Sequence, residues 1–166
     1  MTYDKAIVLA KKLRTLSPRI LGIELFGSVL KNGYGRDADF VVLVDDELAK
    51  RWWTLERESI RVRWPDFLYG QRWMVKIFFP FIYTMTVRRR RQKRLVVSAE
   101  LLGFDLGVLA DAHGTIPDFE MFLLPGNWRE GTEVNIEHMT RVTDLTHDVN
   151  TLGFLKRIAK DASPVE

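Results

Sequence analysis

The run DADFVVLV, from Asp37 to Val44, restricts this chain more than any other feature. It reads as a strand, and successive side chains of a strand point to opposite faces. Asp37 and Asp39 therefore project from one face with Val41 and Leu43 beyond them, while Ala38, Phe40, Val42 and Val44 project from the other. Two carboxylates side by side repel and raise one another's pKa unless a cation neutralises them. Mg²⁺ suits such a pair, because it is bound by one or two carboxylates and completed by water and substrate phosphates. Upstream, an apolar strand from Leu21 ends at Phe26 and turns through Gly27 and Ser28. Glycine there lets the backbone approach a phosphate closely, and exposed N–H groups with a hydroxyl can donate to its oxygens.

A Gly-Ser turn, a polar glycine-containing loop and then Asp-x-Asp opening a hydrophobic strand resembles the nucleotidyltransferase superfamily that includes DNA polymerase beta, and especially its minimal nucleotidyltransferases. The resemblance covers Leu21 to Asp46, about a sixth of the chain. It implies phosphate-binding roles for Gly27 and Ser28, metal ligation by Asp37 and Asp39, and a nucleotide contact for Lys31, where many members carry arginine. Two departures bear on substrate choice more than on chemistry: Arg36 stands where a serine is common, and the chain beyond the second strand is longer than in the smallest members. Other phosphate motifs do not fit, since no Gly-Lys-Ser/Thr follows Gly27 and the glycines do not make Gly-x-Gly-x-x-Gly.

With 166 residues, 46% of them hydrophobic and 28% charged, the chain has the bounds of one globular domain with a real core. The lack of cysteine excludes a disulfide framework and thiolate metal sites and is compatible with a reducing cytoplasm, the expected location. The opening MTYDKAIVLAKKL is amphipathic with interspersed lysines, unlike a signal peptide. A net charge of +3 says little, whereas its distribution says more.

Apolar residues at Ile7, Ala10, Leu13 and Leu16, with Thr2 as cap, predict a helix over Tyr3 to Leu16 stopped by Ser17-Pro18. Asp45-Asp46 starts another through about Ile60, ending before Trp64-Pro65, whose Trp52 and Trp53 read as core or subunit contact rather than base-stacking platform. Trp73 to Val87 is apolar apart from Lys76 and a few hydroxyls. It is shorter than the ~20 residues a membrane span needs and is interrupted by Pro80, so it reads as a buried helix, a candidate homodimer contact, with interfacial membrane attachment as the alternative. Arg88 to Arg91, Lys93 and Arg94 follow. This run either grips nucleic acid or a triphosphate or forms a solvated helix face, and its helix stops at Gly103.

A two-metal site usually needs a third carboxylate, and two residues compete for the role. Asp105 follows a helix-ending glycine and precedes Leu-Gly-Val-Leu, the position of an N-cap. Glu120 lies in the strand DFEMFLL between Pro117 and Pro125, where a carboxylate among aromatics is costly to bury without a partner, and this favours Glu120. The segment also looks like the acid-bearing third strand of the family, with glutamate for the usual aspartate. Two helices, roughly Val134 to Leu145 and Thr151 to Ala162, complete the chain before Ser163-Pro164. His113, His138 and His147 lack metal-ligand spacing and read as exposed or capping residues.

The expectation is an α+β fold, a small mixed sheet carrying the acids on one face with helices packed on the other. It is one nucleotidyltransferase-like domain over 1–166 with a basic helical insertion at about 47–103 and a helical tail at about 133–162. The resemblance implies an enzyme that moves a nucleoside monophosphate, AMP from ATP in the simplest case, to a hydroxyl of a protein, RNA end or small molecule. Its catalytic and metal residues would be Asp37, Asp39 and Glu120 with two Mg²⁺ ions, and resemblance to the minimal group adds a toxin as a candidate partner. The reading of a different class is a non-catalytic module that binds nucleic acid or protein through the basic run.

Overall fold

The Asp37–Val44 run becomes β2 (Ala38–Val44), the inner strand to which the acid-bearing segments are joined. The computed structural model describes residues 1–60, 72–144 and 149–166. The first elements are α1 (Tyr3–Leu16), β1 (Gly22–Phe26), α2 (Ser28–Asn32), β2 and α3 (Asp46–Leu55), which runs into a π-type turn over Glu56–Ile60. Then come α4 (Arg72–Phe78), α5 (Pro80–Leu102), a 3₁₀ turn over Leu106–Leu109 and β3 (Phe119–Pro125). A short ribbon of β4 (Arg129–Glu130) and β5 (Glu133–Val134) leads to α6 (Ile136–Thr143), α7 (Val149–Asp161) and β6 (Ser163–Pro164).

The fold is α+β, with a mixed four-stranded sheet in the order β3-β2-β1-β6 and helices packed against it. β1 runs antiparallel to β2, while β3 runs parallel to β2. A parallel neighbour needs a long crossover connection, and the chain between β2 and β3, including α3 and α5, provides it. Ala38, Phe40, Val42 and Val44 are fully buried as expected, but on the opposite face only Asp39 and Leu43 are partly exposed, and Val41 between them is fully buried as well. Every residue of β3 is buried. Ser163-Pro164, expected only to close the chain, instead pairs with Glu24 and Leu25 and extends the sheet beyond β1. Near that edge the buried Glu24 meets Arg129, whose Nε lies 3.2 Å from Oε2.

Thr2 caps α1 as expected, and Ala6, Leu9, Ala10 and Leu13 form its buried stripe. Trp52 and Trp53 are core residues. Trp52 Nε1 donates to Ser98 Oγ at 2.8 Å and Trp53 Nε1 to the Leu123 carbonyl at 3.0 Å, so both indole N–H groups are satisfied inside the molecule. His138, expected to be exposed or capping, is buried, with Nε2 3.1 Å from Asp46 Oδ1 and Nδ1 facing an Arg141 nitrogen at 2.8 Å. Arginine can only donate, so Nδ1 is the acceptor and Nε2 carries the proton toward Asp46. The expected helix end before Trp64-Pro65 and the position of His147 lie outside the described residues.

The apolar stretch from Trp73 to Val87 differs most from its expectation. Pro80 occupies the first turn of α5 and Phe79 has left helical geometry, so the stretch divides between α4 and α5. Ile77, Phe78, Phe79, Phe81, Ile82 and Met85 are exposed, Phe81 to 75%. Apolar composition specifies a preference for burial but not a partner, and α4 packs against α5. Among the described residues no helix is long and apolar enough to cross a membrane.

Two distant helix ends are tied together by Ser17, which is 2% exposed. Its hydroxyl donates to the Leu102 carbonyl at 2.6 Å and accepts from Arg19 N–H at 3.2 Å, joining the end of α1 to the end of α5. Ser17→Ala leaves a buried carbonyl without this donor and should cost about 1–3 kcal/mol in urea unfolding at unchanged m-value. A loss below ~0.5 kcal/mol would mean that water or backbone shift replaces the bond.

Candidate functional site

Parallel pairing of β2 with β3 sets Asp39 directly beside Glu120, and antiparallel pairing of β1 with β2 sets Phe26 beside Asp39. Asp37 immediately precedes β2. Three carboxylates are thus gathered at one end of the sheet. Gly27 follows Phe26 with φ +83°, and a Cβ built there would lie 2.5 Å from Asp39 Oδ2. Both the left-handed backbone and the close carboxylate require glycine at this position. Ser28 is exposed at the start of α2, and its Oγ packs so near Gly35 that a Cβ on Gly35 would collide with it.

A cavity of about 320 Å³ opens at the acids. Gly27, Lys31, Asp39, Arg91, Glu120 and Arg157 line it together with the aromatic group Phe26, Phe122 and Phe154. Ser28 is not part of the wall. Lys31 is exposed and paired with Asp161 Oδ2 at 2.6 Å, the kind of surface contact worth little and readily exchanged for another anion. Asp105 lies elsewhere: its Oδ1 accepts from Gly107 N–H at 2.6 Å and caps the 3₁₀ turn. Of the two candidates for the third carboxylate, Glu120 is the one brought to Asp39.

The basic run supplies the cations that crowded acids require. Arg91 contacts both Asp37 and Glu120. Arg94, three residues on and therefore on the same side of α5, donates from Nη1 to Glu120 Oε2 at 2.9 Å and from Nη2 to Glu56 Oε1 at 2.8 Å. Arg90 adds a second contact to Glu56 Oε1 at 2.6 Å. Arg88 and Arg89 are exposed, so the run is neither wholly a solvated face nor wholly a ligand grip. The recognisable signal was spacing: Arg91, Arg94, Ser98 and Leu102 fall on one helical ridge, and that ridge faces inward.

Electrostatics follow from this arrangement. Burial pushes Asp39 up to about 7, the charges of Asp37 and Glu120 add to the rise, and Arg91 and Arg94 offset part of it. Burial also opposes ionisation of Glu56, but hydrogen bonds and charge from Arg94 and Arg90 outweigh it and hold Glu56 below its ordinary range. For Arg94 burial disfavours the cation, yet Glu56 and Glu120 more than compensate and raise its pKa.

The oxygen donors suit a hard cation such as magnesium, but among the described residues no three histidine, cysteine or acidic side chains are grouped to hold one metal ion. Arg91 engages Asp37 and Glu120 together. What remains open to a cation is Asp39, whose carboxylate accepts no hydrogen bond among the described residues; Glu120 beside it is held through both oxygens by Arg91 and Arg94. One or two carboxylates are what magnesium usually takes from a protein when phosphates supply the rest. Comparison of the chain with protein-family models, curated proteins and solved structures finds no match in any of the three.

Two predictions follow from the charges. Folded Asp39 holds its proton up to about pH 7, whereas an ordinary aspartate releases it near 3.8. The ionised group therefore withdraws stability as pH rises from about 4 to 7. Asp39→Asn in chelator should match wild type near pH 4 and become progressively more stable than it up to pH 8, read from urea midpoints. A difference independent of pH would show that Asp39 is not strained. Arg94→Met leaves Glu56 and Glu120 without their shared cation and should cost about 3–5 kcal/mol at pH 7. Unchanged stability would mean that the network relaxes into solvent.

Proposed function

We propose that this chain is a magnesium-dependent nucleotidyltransferase of the DNA polymerase beta-like superfamily, moving a nucleoside monophosphate, AMP from ATP in the simplest case, to a hydroxyl acceptor. One observation carries the reading: the strand register sets Asp39 beside Glu120 with Asp37 close by, and Gly27 closes on Asp39 from the neighbouring strand. Glu120, distant in sequence, thereby meets the Gly27 turn and the two aspartates at one end of the sheet, which supports the reading. Magnesium held by Asp39 beside Glu120 would neutralise phosphate charge and make an acceptor hydroxyl more acidic.

The chain's own residues account for the remainder. The Gly27 turn allows phosphates to approach the backbone, Arg157 brings positive charge to the same cavity, and Lys31 would do so on exchanging Asp161, which also lines it, for phosphate. Arg91, which lines that cavity while holding Asp37 and Glu120, keeps the carboxylates together against their repulsion. The acceptor oxygen bonds to the α-phosphorus as the bond to pyrophosphate breaks, and the hydroxyl proton passes to a carboxylate. Such catalysis consists of positioning and charge stabilisation, so it needs no nucleophilic side chain.

The competing reading, a non-catalytic binding module, draws support from the two arginines that already neutralise the acids. Magnesium-dependent binding of ATP separates the two. In an assay with labelled ATP, Mg²⁺ and cell lysate, wild type should label an acceptor and Glu120→Gln should lower the rate about a hundredfold or more, while Asp105→Asn keeps it within about twofold. Absence of ATP binding with magnesium would decide for the binding module.

A further inference from the structure

Arg91 lines two neighbouring cavities. Beyond the acidic one lies a larger space of about 540 Å³, within the range of small-ligand sites. Of the three acids Asp37 alone lines it, two residues before Asp39 of the neighbouring cavity. Tyr83 and Phe119 give it aromatic surface, Gln92 an amide, and Arg36 and Arg88 positive charge. Unlike Arg90, Arg91 and Arg94, these two arginines are exposed and make no ion pair among the described residues. Asp118 also lines the space, but Asp37 is already engaged by Arg91, so positive charge prevails.

We propose that this second cavity binds the acceptor, and that the acceptor is a hydroxyl compound bearing a phosphate group. This rests on the nucleotidyltransferase reading and specifies its substrate class. Guanidinium groups match phosphate oxygens in charge and in paired donor geometry, so Arg36 and Arg88 hold the phosphate. Tyr83 and Phe119 contact the body of the ligand, and its hydroxyl points toward Asp37. The new bond joins that oxygen to the α-phosphorus of the nucleotide in the neighbouring cavity. The bond from the α-phosphorus to the bridging oxygen breaks, pyrophosphate leaves with the electron pair, and the hydroxyl proton passes to Asp37 and then to solvent.

The same chemistry is offered by an RNA 3′ end and by a phosphorylated sugar. Calorimetric titrations of a short RNA with a free 3′-hydroxyl and of ribose 5-phosphate, each without metal or nucleotide, test the cavity. The proteins are wild type, the double variant Arg36→Gln/Arg88→Gln, and Arg89→Gln as a charge change on an exposed arginine that does not line it. Wild type should bind at least one ligand, the double variant at least about tenfold more weakly, and Arg89→Gln within about twofold of wild type. Binding of the RNA alone assigns a nucleic-acid end, and binding of the sugar phosphate alone assigns a small acceptor. Failure of both ligands to bind, equal binding by the double variant, or an equal loss in Arg89→Gln overturns the proposal. A parallel titration of wild type with ATP and Mg²⁺ reads the other cavity: phosphate-ligand binding without any ATP binding overturns the transferase reading and the acceptor role with it.

Discussion

Like charges gathered at one end of a sheet must be neutralised, and in this protein the neutralising groups come from a helix inserted between the strands that carry the acids. Asp37, Asp39 and Glu120 converge through strand pairing, and Arg91 and Arg94 of α5 meet them, with Glu56 tying Arg94 and Arg90 to the end of α3. Breaking one partner of such a buried network is costly, whereas replacing all of it with packed apolar groups is often neutral or stabilising. Stability alone therefore does not call for acids here. Asp39 bears the cost most visibly, its pKa raised to about 7 by burial and by its two acidic neighbours.

The network also links the site to the rest of the fold. Arg94 lies over the Phe122 ring, with its guanidinium carbon 4.6 Å from the centroid, and Phe122 touches Phe26, Trp52 and Phe154. The helix that supplies charge to the acids is thus fixed by the aromatic packing of β1, β3, α3 and α7. Ser98, one turn beyond Arg94, receives the Trp52 indole N–H, and Leu102 receives the Ser17 hydroxyl. A single ridge of α5 meets the acids at one end and the cap of α1 at the other, so displacement of this helix would disturb site and core together.

Much of the site was legible locally. The alternation of Asp37 to Val44 assigned the faces of β2, and the Gly27-Ser28 turn belonged where it was expected, although Gly27 rather than Ser28 lines the cavity. Glu120 was preferable to Asp105 because an acid inside an apolar strand needs a polar partner, and its partners are Arg91 and Arg94. The arginines themselves were harder to place. Read as a charge run they spread around a cylinder, and only their spacing with Ser98 and Leu102 separates Arg91 and Arg94 from Arg88 and Arg89. The exposed apolar side chains from Ile77 to Met85 had the opposite fate: their composition predicted burial, while the helices that carry them meet each other.

The sequence by itself determined the local geometry of α1, β1, β2 and β3, where Pro80 and Gly103 interrupt or end helices, and which face of β2 carries carboxylates. Those outcomes depend on backbone sterics and on the period of side-chain direction, both written in neighbouring residues. Only tertiary structure decided that β3 lies parallel to β2 in the register setting Glu120 beside Asp39, and that α5 turns Arg91 and Arg94 inward. Pairing of distant strands and the rotation of a helix about its axis are chosen by the burial and charge balance of the whole assembly, and no short window of sequence contains that sum.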